Sequence, residues 1–181
     1  MRFNSISPKQ AEIFKFTQDK YDALICDGAV RSGKTLMMSA AFLEWAMHEF
    51  NESGFAVCGK TVRAAERNII MPLLQIRSIT KKFDINYARS ISLMTVKWRG
   101  KTNYFYIFGG KDESSYTLIQ GITLCGVLFD EVALMPQSFV EQAITRTLSI
   151  DTAKLWFNCN PEGPTHWFYK EWIQRPENHN A

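Results

Sequence analysis

The chain has no apolar run long enough to span a membrane. Its first residues, Met1-Arg2-Phe3-Asn4-Ser5, lack the apolar core of a secretory signal. Both absences point to a cytosolic protein. Cysteine is scarce: Cys26, Cys58, Cys125 and Cys159 include no C-x-x-C pair, and no two are close in sequence. The 3 histidines, His48, His166 and His179, complete no metal-ligand spacing. The cysteines, each in or beside an expected strand, read instead as buried reduced thiols. Nor is there a marked charge excess. The 21 Lys and Arg against 18 Asp and Glu give a net charge of +3, which permits contact with a polyanion without implying it. Internal repeats and low-complexity tracts are lacking too. What remains is an ordinary globular composition, 46% hydrophobic and 22% charged, in 181 residues, enough for one domain with a substantial core.

Against that plain background one segment stands out. Gly28-Ala29-Val30-Arg31-Ser32-Gly33-Lys34-Thr35 fits the phosphate-binding pattern GxxxxGK[ST]. It follows an apolar run, Ala23-Leu24-Ile25-Cys26, that reads as a strand, and it precedes a helical pattern starting at Thr35. In this setting the glycines let the backbone curl so that successive N–H groups face a phosphate, and the helix N-terminus adds partial positive charge. Lys34 is placed to reach the β- and γ-phosphates, and the Thr35 hydroxyl to ligate Mg²⁺. The segment implies binding of a nucleoside triphosphate, with ATP the default.

Short β-rich apolar runs at Ala23–Cys26, Phe55–Gly59, Ile122–Phe129 and Lys154–Cys159 predict buried parallel strands. Helical patterns separate them at Lys34–Phe50, Arg63–Arg77 and roughly Gln137–Thr147. Ile91–Arg99 and Asn103–Phe108, joined by Gly100-Lys101-Thr102, predict a hairpin added as antiparallel strands to the sheet edge. The polar tail 175–181 is expected to fray. The pattern predicts an α/β fold, a P-loop NTPase of the ASCE type: a mainly parallel central sheet flanked by helices, with an antiparallel hairpin insert.

The run Leu124–Glu131 ends in two acids that suit the other half of such a site. Asp130, at the strand's end, is placed to hold Mg²⁺; Glu131, next to it, is placed to accept a proton from water and aim its attack. A water-activating glutamate favours hydrolysis over transfer to a metabolite, since small-molecule kinases must exclude water. Arg31 is either an arginine finger swung to the γ-phosphate or a residue that shapes the loop through a salt bridge. Asn158 and Asn160 end the fourth strand before Pro161; Asn160, at the very end, is the better placed to sense the γ-phosphate, or it begins an ordinary Asn-Pro turn. Gln10, in a helix begun at Ser7-Pro8, either reads the adenine edge, with Phe14 or Tyr21 packed on the ring, or faces solvent. Two basic groups, Arg63 and Arg67 followed by Arg77, Lys81 and Lys82, and Lys97, Arg99 and Lys101 around Trp98, either meet phosphates or are solvated faces.

Taken together the residues resemble the N-terminal ATPase domain of the tailed-bacteriophage terminase large subunit, over almost the whole chain. The resemblance rests on Gln10, GAVRSGKT at Gly28–Thr35, Gln120-Gly121, LCGVLFDEVALMP at Leu124–Pro136, and NCNPEGPTHWFYKEW at Asn158–Trp172. It implies Mg²⁺-dependent ATP hydrolysis that drives double-stranded DNA through a portal protein into a procapsid in the host cytoplasm. It also implies a homo-oligomeric ring, five subunits being expected, and a small terminase subunit that selects the DNA. Lys34 and Thr35 would bind phosphate and Mg²⁺, Asp130 the metal, Glu131 would be the base, Arg31 the cis arginine, and Asn158–Pro161 the coupling segment. Large terminases continue into a nuclease domain whose carboxylate cluster nothing after Trp172 supplies, so no DNA cutting is expected of these residues. Two other readings fit the motifs: a helicase-like, nucleic-acid-stimulated ATPase, and a nucleotide-gated assembly module with negligible turnover on its own.

Overall fold

In the computed structural model, which describes residues 7–28, 33–160 and 163–181, one sheet is built from seven strands. These are β1 (Ala23–Asp27), β2 (Ser53–Gly59), β3 (Asp84–Ala88), β4 (Leu93–Trp98), β5 (Lys101–Gly109), β6 (Gly126–Phe129) and β7 (Lys154–Cys159). Their order across the sheet is β1-β7-β6-β2-β5-β4-β3. The strands from β1 to β5 in that order run parallel, and β4 and β3 close the far edge as antiparallel neighbours. The helices are α1 (Pro8–Lys15), α2 (Lys34–Glu49), α3 (Val62–Ala65), α4 (Met71–Leu74), α5 (Arg77–Lys82) and α6 (Gln137–Thr145). The chain is thus a P-loop-type α/β domain, as its sequence predicts.

Two hydrophobic clusters sandwich the sheet. The larger is organised by α2, whose residues Met37–Leu43 and Trp45–Met47 are all buried. Phe42 meets Phe55, Phe105 and Trp156 edge-on, at 5.8, 6.0 and 5.9 Å between ring centres, the arrangement in which a ring edge faces the electron-rich face of its neighbour. The C-terminal end of α2 is tied down by fully buried Asn103, whose amide donates to the carbonyls of Ala46 (3.0 Å) and Phe50 (3.1 Å) and accepts from the Ser53 N–H (3.0 Å). One amide therefore joins helix, connecting loop and strand.

Several elements differ from the sequence reading. The expected hairpin forms, but β5 is a fifth parallel strand, paired with β2 from Ser53↔Asn103 to Gly59↔Gly109. Its alternation of buried and half-buried residues reports that one face is less covered, and this pattern was the source of the antiparallel expectation. The connecting turn is Arg99-Gly100, with φ of 48° and 80°, rather than Gly100-Lys101-Thr102. Two left-handed residues match the twist of the flanking strands. β6 begins only at Gly126, because Leu124 and Cys125 turn their N–H groups to the carbonyls of Arg146 and Gly54.

The helix expected over Arg63–Arg77 runs unbroken through α3, a π turn at Glu66–Ile70 and α4, ending at Leu74, with α5 following separately; only the π turn departs from the α-helical pattern. Pro72 is the cause: it has no N–H to continue an α-helical ladder, and its ring presses on the carbonyl four residues before it. The tail is docked rather than frayed. The Asn180 carbonyl accepts from the N–H of Asp22, its side-chain amide donates to Asp22 Oδ2 (2.9 Å), and His179 stacks on Trp172 at 3.8 Å.

Candidate nucleotide-binding site

Strand order determines which side chains meet. Because β7 lies between β1 and β6, the residue leaving β7 stands between the phosphate-loop segment and the two acids after β6. All three strands point their C-terminal ends at the N-terminus of α2, the usual place for a ligand on an open parallel sheet. Gly28 and Gly33 flank the loop with φ of 151° and 76°, conformations that strain any residue with a side chain. Ala29, Val30, Arg31 and Ser32 lie outside the described residues, as do Pro161 and Glu162.

Lys34 opens α2, and its ammonium is held by the carbonyl of Gly28, by the carbonyl of Cys159 at 3.1 Å and by Asn160 Oδ1 at 3.4 Å. A cation is therefore fixed at the mouth of the loop, bridging β1 and the end of β7. Thr35 Oγ1 lies 3.4 Å from Asp130 Oδ1, and Asn158 Nδ2 donates to both, at 2.8 Å each. Asp130 is only 2% exposed and Asn158 only 6%. A buried carboxylate survives in this way only when its oxygens are hydrogen-bonded. The hydroxyl of Thr35 and the carboxylate of Asp130 are hard oxygen donors, the chemistry that Mg²⁺ takes from protein while phosphate and water complete its shell.

Asn158 occupies the centre of this network, whereas Asn160, expected to sense the γ-phosphate, lies on the Lys34 side. Asn160 touches the site through Lys34. Glu131 follows Asp130 with φ 54° and ψ 51°, a left-handed backbone that costs of order 1–3 kcal/mol in a non-glycine residue. The strain turns the chain sharply from β6 into the short helical turn Val132–Leu134 and leaves the Glu131 side chain half-exposed. Among the described residues none donates a hydrogen bond to its carboxylate.

Gln10 lies at the other end of the loop. Its side-chain oxygen accepts from the Ser7 N–H (3.0 Å) in a capping box that starts α1, and its amide nitrogen borders Gly33. Beside it opens a cavity of about 440 Å³ lined by Gln10, Ile13, Leu24, Ile25, Gly28 and Lys34 among others. Phe14 and Tyr21 do not line this cavity; its apolar wall comes from Ile13, Leu24 and Ile25. Burial pushes the thiol of Cys26 up to about 11 and that of Cys159 up to about 12, with the Lys34 ammonium partly opposing both. They stay neutral beside the loop.

The sequence reading missed Asn68, whose Nδ2 donates to Asp130 Oδ2 at 2.8 Å. It belongs to no phosphate-binding motif; the available signal was Pro72, which marks a π turn in the helix that carries it. Of the basic groups, Arg63 and Arg67 are exposed, and Arg67 donates to Asn68 Oδ1 at 3.2 Å. Of the hairpin cations, Lys101 donates to the His48 carbonyl near the end of α2, and the Arg99 guanidinium lies 4.6 Å from the centre of the neighbouring Trp98 ring, while Lys97 is exposed.

With this geometry in place, comparison with known proteins is informative. Residues 25–180 match the family model described as "Terminase large subunit, T4likevirus-type, N-terminal". Among solved structures, the large terminase of a thermophilic bacteriophage is 48% identical with a TM-score of 0.91, over 98% of this chain and 44% of that one. The same enzyme in complex with ATP-gamma-S is 45% identical with a TM-score of 0.88, over 97% of this chain and 43% of that one. The large terminase ATPase domain of Thermus phage P74-26 shares the fold at 19% identity and a TM-score of 0.65, over 91% of this chain and 72% of that one. No curated protein sequence matches significantly. The chain thus spans less than half the length of the thermophilic phage's large terminase. It belongs to the terminase large-subunit family of the T4likevirus type, matching that family's N-terminal region.

Proposed function

We propose that this chain is the ATP-hydrolysing motor unit of a phage terminase, driving double-stranded DNA into a procapsid. The observation that carries the reading is the meeting of Lys34, Thr35, Asp130 and Asn158 at the C-terminal edge of the parallel sheet. The ADP and ATP-gamma-S complexes of the thermophilic phage's large terminase support the choice of nucleotide.

In this reading the backbone of Gly28–Thr35 cradles the phosphates and Lys34 contacts the β- and γ-phosphates. Thr35 and Asp130 hold Mg²⁺, which when bound neutralises charge developing on the phosphate oxygens. Glu131 takes the proton of the attacking water and aims its lone pair at the γ-phosphorus. Arg31, from its place in the loop sequence, stabilises the charge of the transferring phosphoryl group in cis. Asn160 and the Cys159 carbonyl share Lys34 with the γ-phosphate, so loss of that phosphate changes the bonding at the end of β7. Gln10 reads the base edge. In this reading the working form is a ring, five subunits being our expectation, at a portal in the host cytoplasm, with a small terminase subunit choosing the DNA. DNA cleavage lies outside the activity proposed for these residues.

The test is Mg²⁺-dependent ATP hydrolysis over a wide range of protein concentration, with Glu131→Gln as control. A rate per molecule that is flat with concentration and lost in the variant supports a self-sufficient site. One that climbs from near zero supports a ring completed by neighbours, for which the exposed Arg63 and Arg67 are candidate donors. Undiminished turnover in Glu131→Gln overturns the assignment of the base.

A further inference from the structure

The two oxygens of the Asp130 carboxylate are held by different elements. Oδ1 faces Thr35 and Asn158, from the loop helix and β7; Oδ2 accepts from Asn68. The orientation of the Asn68 amide follows from its neighbours. A carboxylate facing it can only accept, and the Arg67 Nε–H on its other side can only donate, so Nδ2 points inward and Oδ1 outward.

Asn68 reaches Asp130 because of the local backbone. It sits in the middle of the π turn Glu66–Ile70, closed by the Met71 N–H donating to the Glu66 carbonyl. An α turn here would direct a nonexistent Pro72 N–H, and the Pro72 ring, at the Asn68 carbonyl. One inserted residue relieves that conflict and changes which side chains face the sheet end, the usual effect of a π turn at a functional site. Its start is anchored from the antiparallel edge. The Glu66 carboxylate, 5% exposed, accepts from the Tyr87 hydroxyl at 2.5 Å and from Arg89 Nη2 at 2.8 Å. The preceding α3 sits directly on the sheet because β2 and β5 both end in glycine. A Cβ on Gly59 would come within 2.9 Å of the Ala65 nitrogen, and one on Gly109 within 2.7 Å of the Val62 nitrogen. The packing of the segment is supplied by Ile69, Ile70 and Leu73, which leaves the Asn68 amide free for the carboxylate.

We propose that Asn68 is a positioning residue for magnesium: it holds Oδ2 of Asp130 so that Oδ1 stays directed at Thr35, and the π turn is the device that delivers it. The inference rests on reading Asp130 as the metal-holding carboxylate. It also makes β3, through Tyr87 and the adjoining Arg89, part of the support of the nucleotide site.

The test is calorimetric binding of ATP-gamma-S to the whole chain across a series of Mg²⁺ concentrations and in EDTA, for wild type, Asn68→Ala and Asp130→Asn. Partners that orient a metal ligand from behind typically change metal affinity by about 10–100-fold. The Mg²⁺ concentration for half-maximal enhancement should therefore rise by about 10-fold or more in Asn68→Ala, while affinity in EDTA stays within about 2-fold. A merely structural role would weaken both alike, and that outcome overturns the proposal, as does an unchanged Mg²⁺ dependence. Where Asn68→Ala fails to fold, Asn68→Gln, which keeps the amide but moves it by one methylene, gives the same comparison. Loss of Mg²⁺ enhancement in Asp130→Asn but not in the Asn68 variants refutes the role of Asn68 alone. Retained enhancement in Asp130→Asn refutes the reading of Asp130 itself.

Discussion

Asn158→Ala should destabilise the protein even with no nucleotide or metal present. The Asn158 amide is 6% exposed and donates to Asp130 Oδ1 and Thr35 Oγ1 at 2.8 Å each. Alanine removes the donor from a carboxyl group that is only 2% exposed. A hydrogen bond to a charged group contributes about 1.5–3 kcal/mol, and the substitution leaves one carboxylate oxygen with only the weak Thr35 contact at 3.4 Å. The second donated bond adds little, because the Thr35 hydroxyl can turn to water. A loss of about 2–3 kcal/mol follows. For a chain of this size 1 kcal/mol moves the thermal midpoint by about 2–4 °C, so a fall of about 4–12 °C is expected. Calorimetric melting in EDTA reads this without interference from Mg²⁺. A fall of less than about 2 °C would mean that water replaces the amide fully and that Asp130 is not dependent on Asn158.

Three further outcomes are expected. Gly126→Ala drives a Cβ to 2.7 Å from Trp45 Cζ3, in a core where the ring has no room to turn; overpacking of this kind costs about 1–3 kcal/mol, and an unchanged denaturant midpoint would show that Trp45 yields freely. Lys34→Ala removes the charge proposed to contact phosphate, worth about 1.5–3 kcal/mol per bond, so ATP-gamma-S affinity should fall at least about 10-fold by calorimetry; unchanged binding would remove the assignment of the loop. The third concerns acid. Hydrogen bonds from Arg89 and Tyr87 hold the Glu66 carboxyl below its ordinary value in spite of burial. Its stabilising effect is therefore complete above the unfolded-state value of about 4.3 and is lost as pH falls through the lower folded-state value. The gap in thermal midpoint between wild type and Glu66→Gln should narrow on acidification below about pH 4, and a constant gap would mean that the ionised carboxylate is not its source.

The strands that carry the site were legible because each contains a short apolar run; β6 and β7 are buried throughout, and β1 is mostly half-buried. Lys154–Cys159 is the clearest case: all six residues are buried, and its expected and observed limits coincide. The phosphate loop was legible for a different reason, since its glycines and Lys34-Thr35 are demanded by a backbone shape rather than by packing. Less legible was whatever depends on strand order. That β7 separates β1 from β6 cannot be read from periodicity, so nothing in the sequence ranked Asn158 above Asn160. The direction of β5 was hidden because alternation reports one-sided burial, which parallel strands near a sheet edge also show. The placement of Asn68 depends on a π turn, and sequence periodicity over Arg63–Arg77 fits a regular α-helix almost as well, with Pro72 the sole sign of the irregularity.

The three asparagines share a physical reason for being where they are. In the proposed role Asp130 meets a cation and Lys34 a phosphate at the same end of the sheet, so each must be held in place without being neutralised. A second carboxylate turned onto the Asp130 oxygens would repel them, and a lysine there would take the place of a cation. An amide avoids both, because it donates to the carboxylate or accepts from the ammonium and leaves the net charge unaltered. Asn158 and Asn68 use their nitrogens on Asp130, and Asn160 uses its oxygen on Lys34. The first and last come from the end of β7, and the other from the π turn, itself tied to the antiparallel edge through Glu66, Tyr87 and Arg89. Displacement of either element thus changes how Asp130 is held while the charges stay in place.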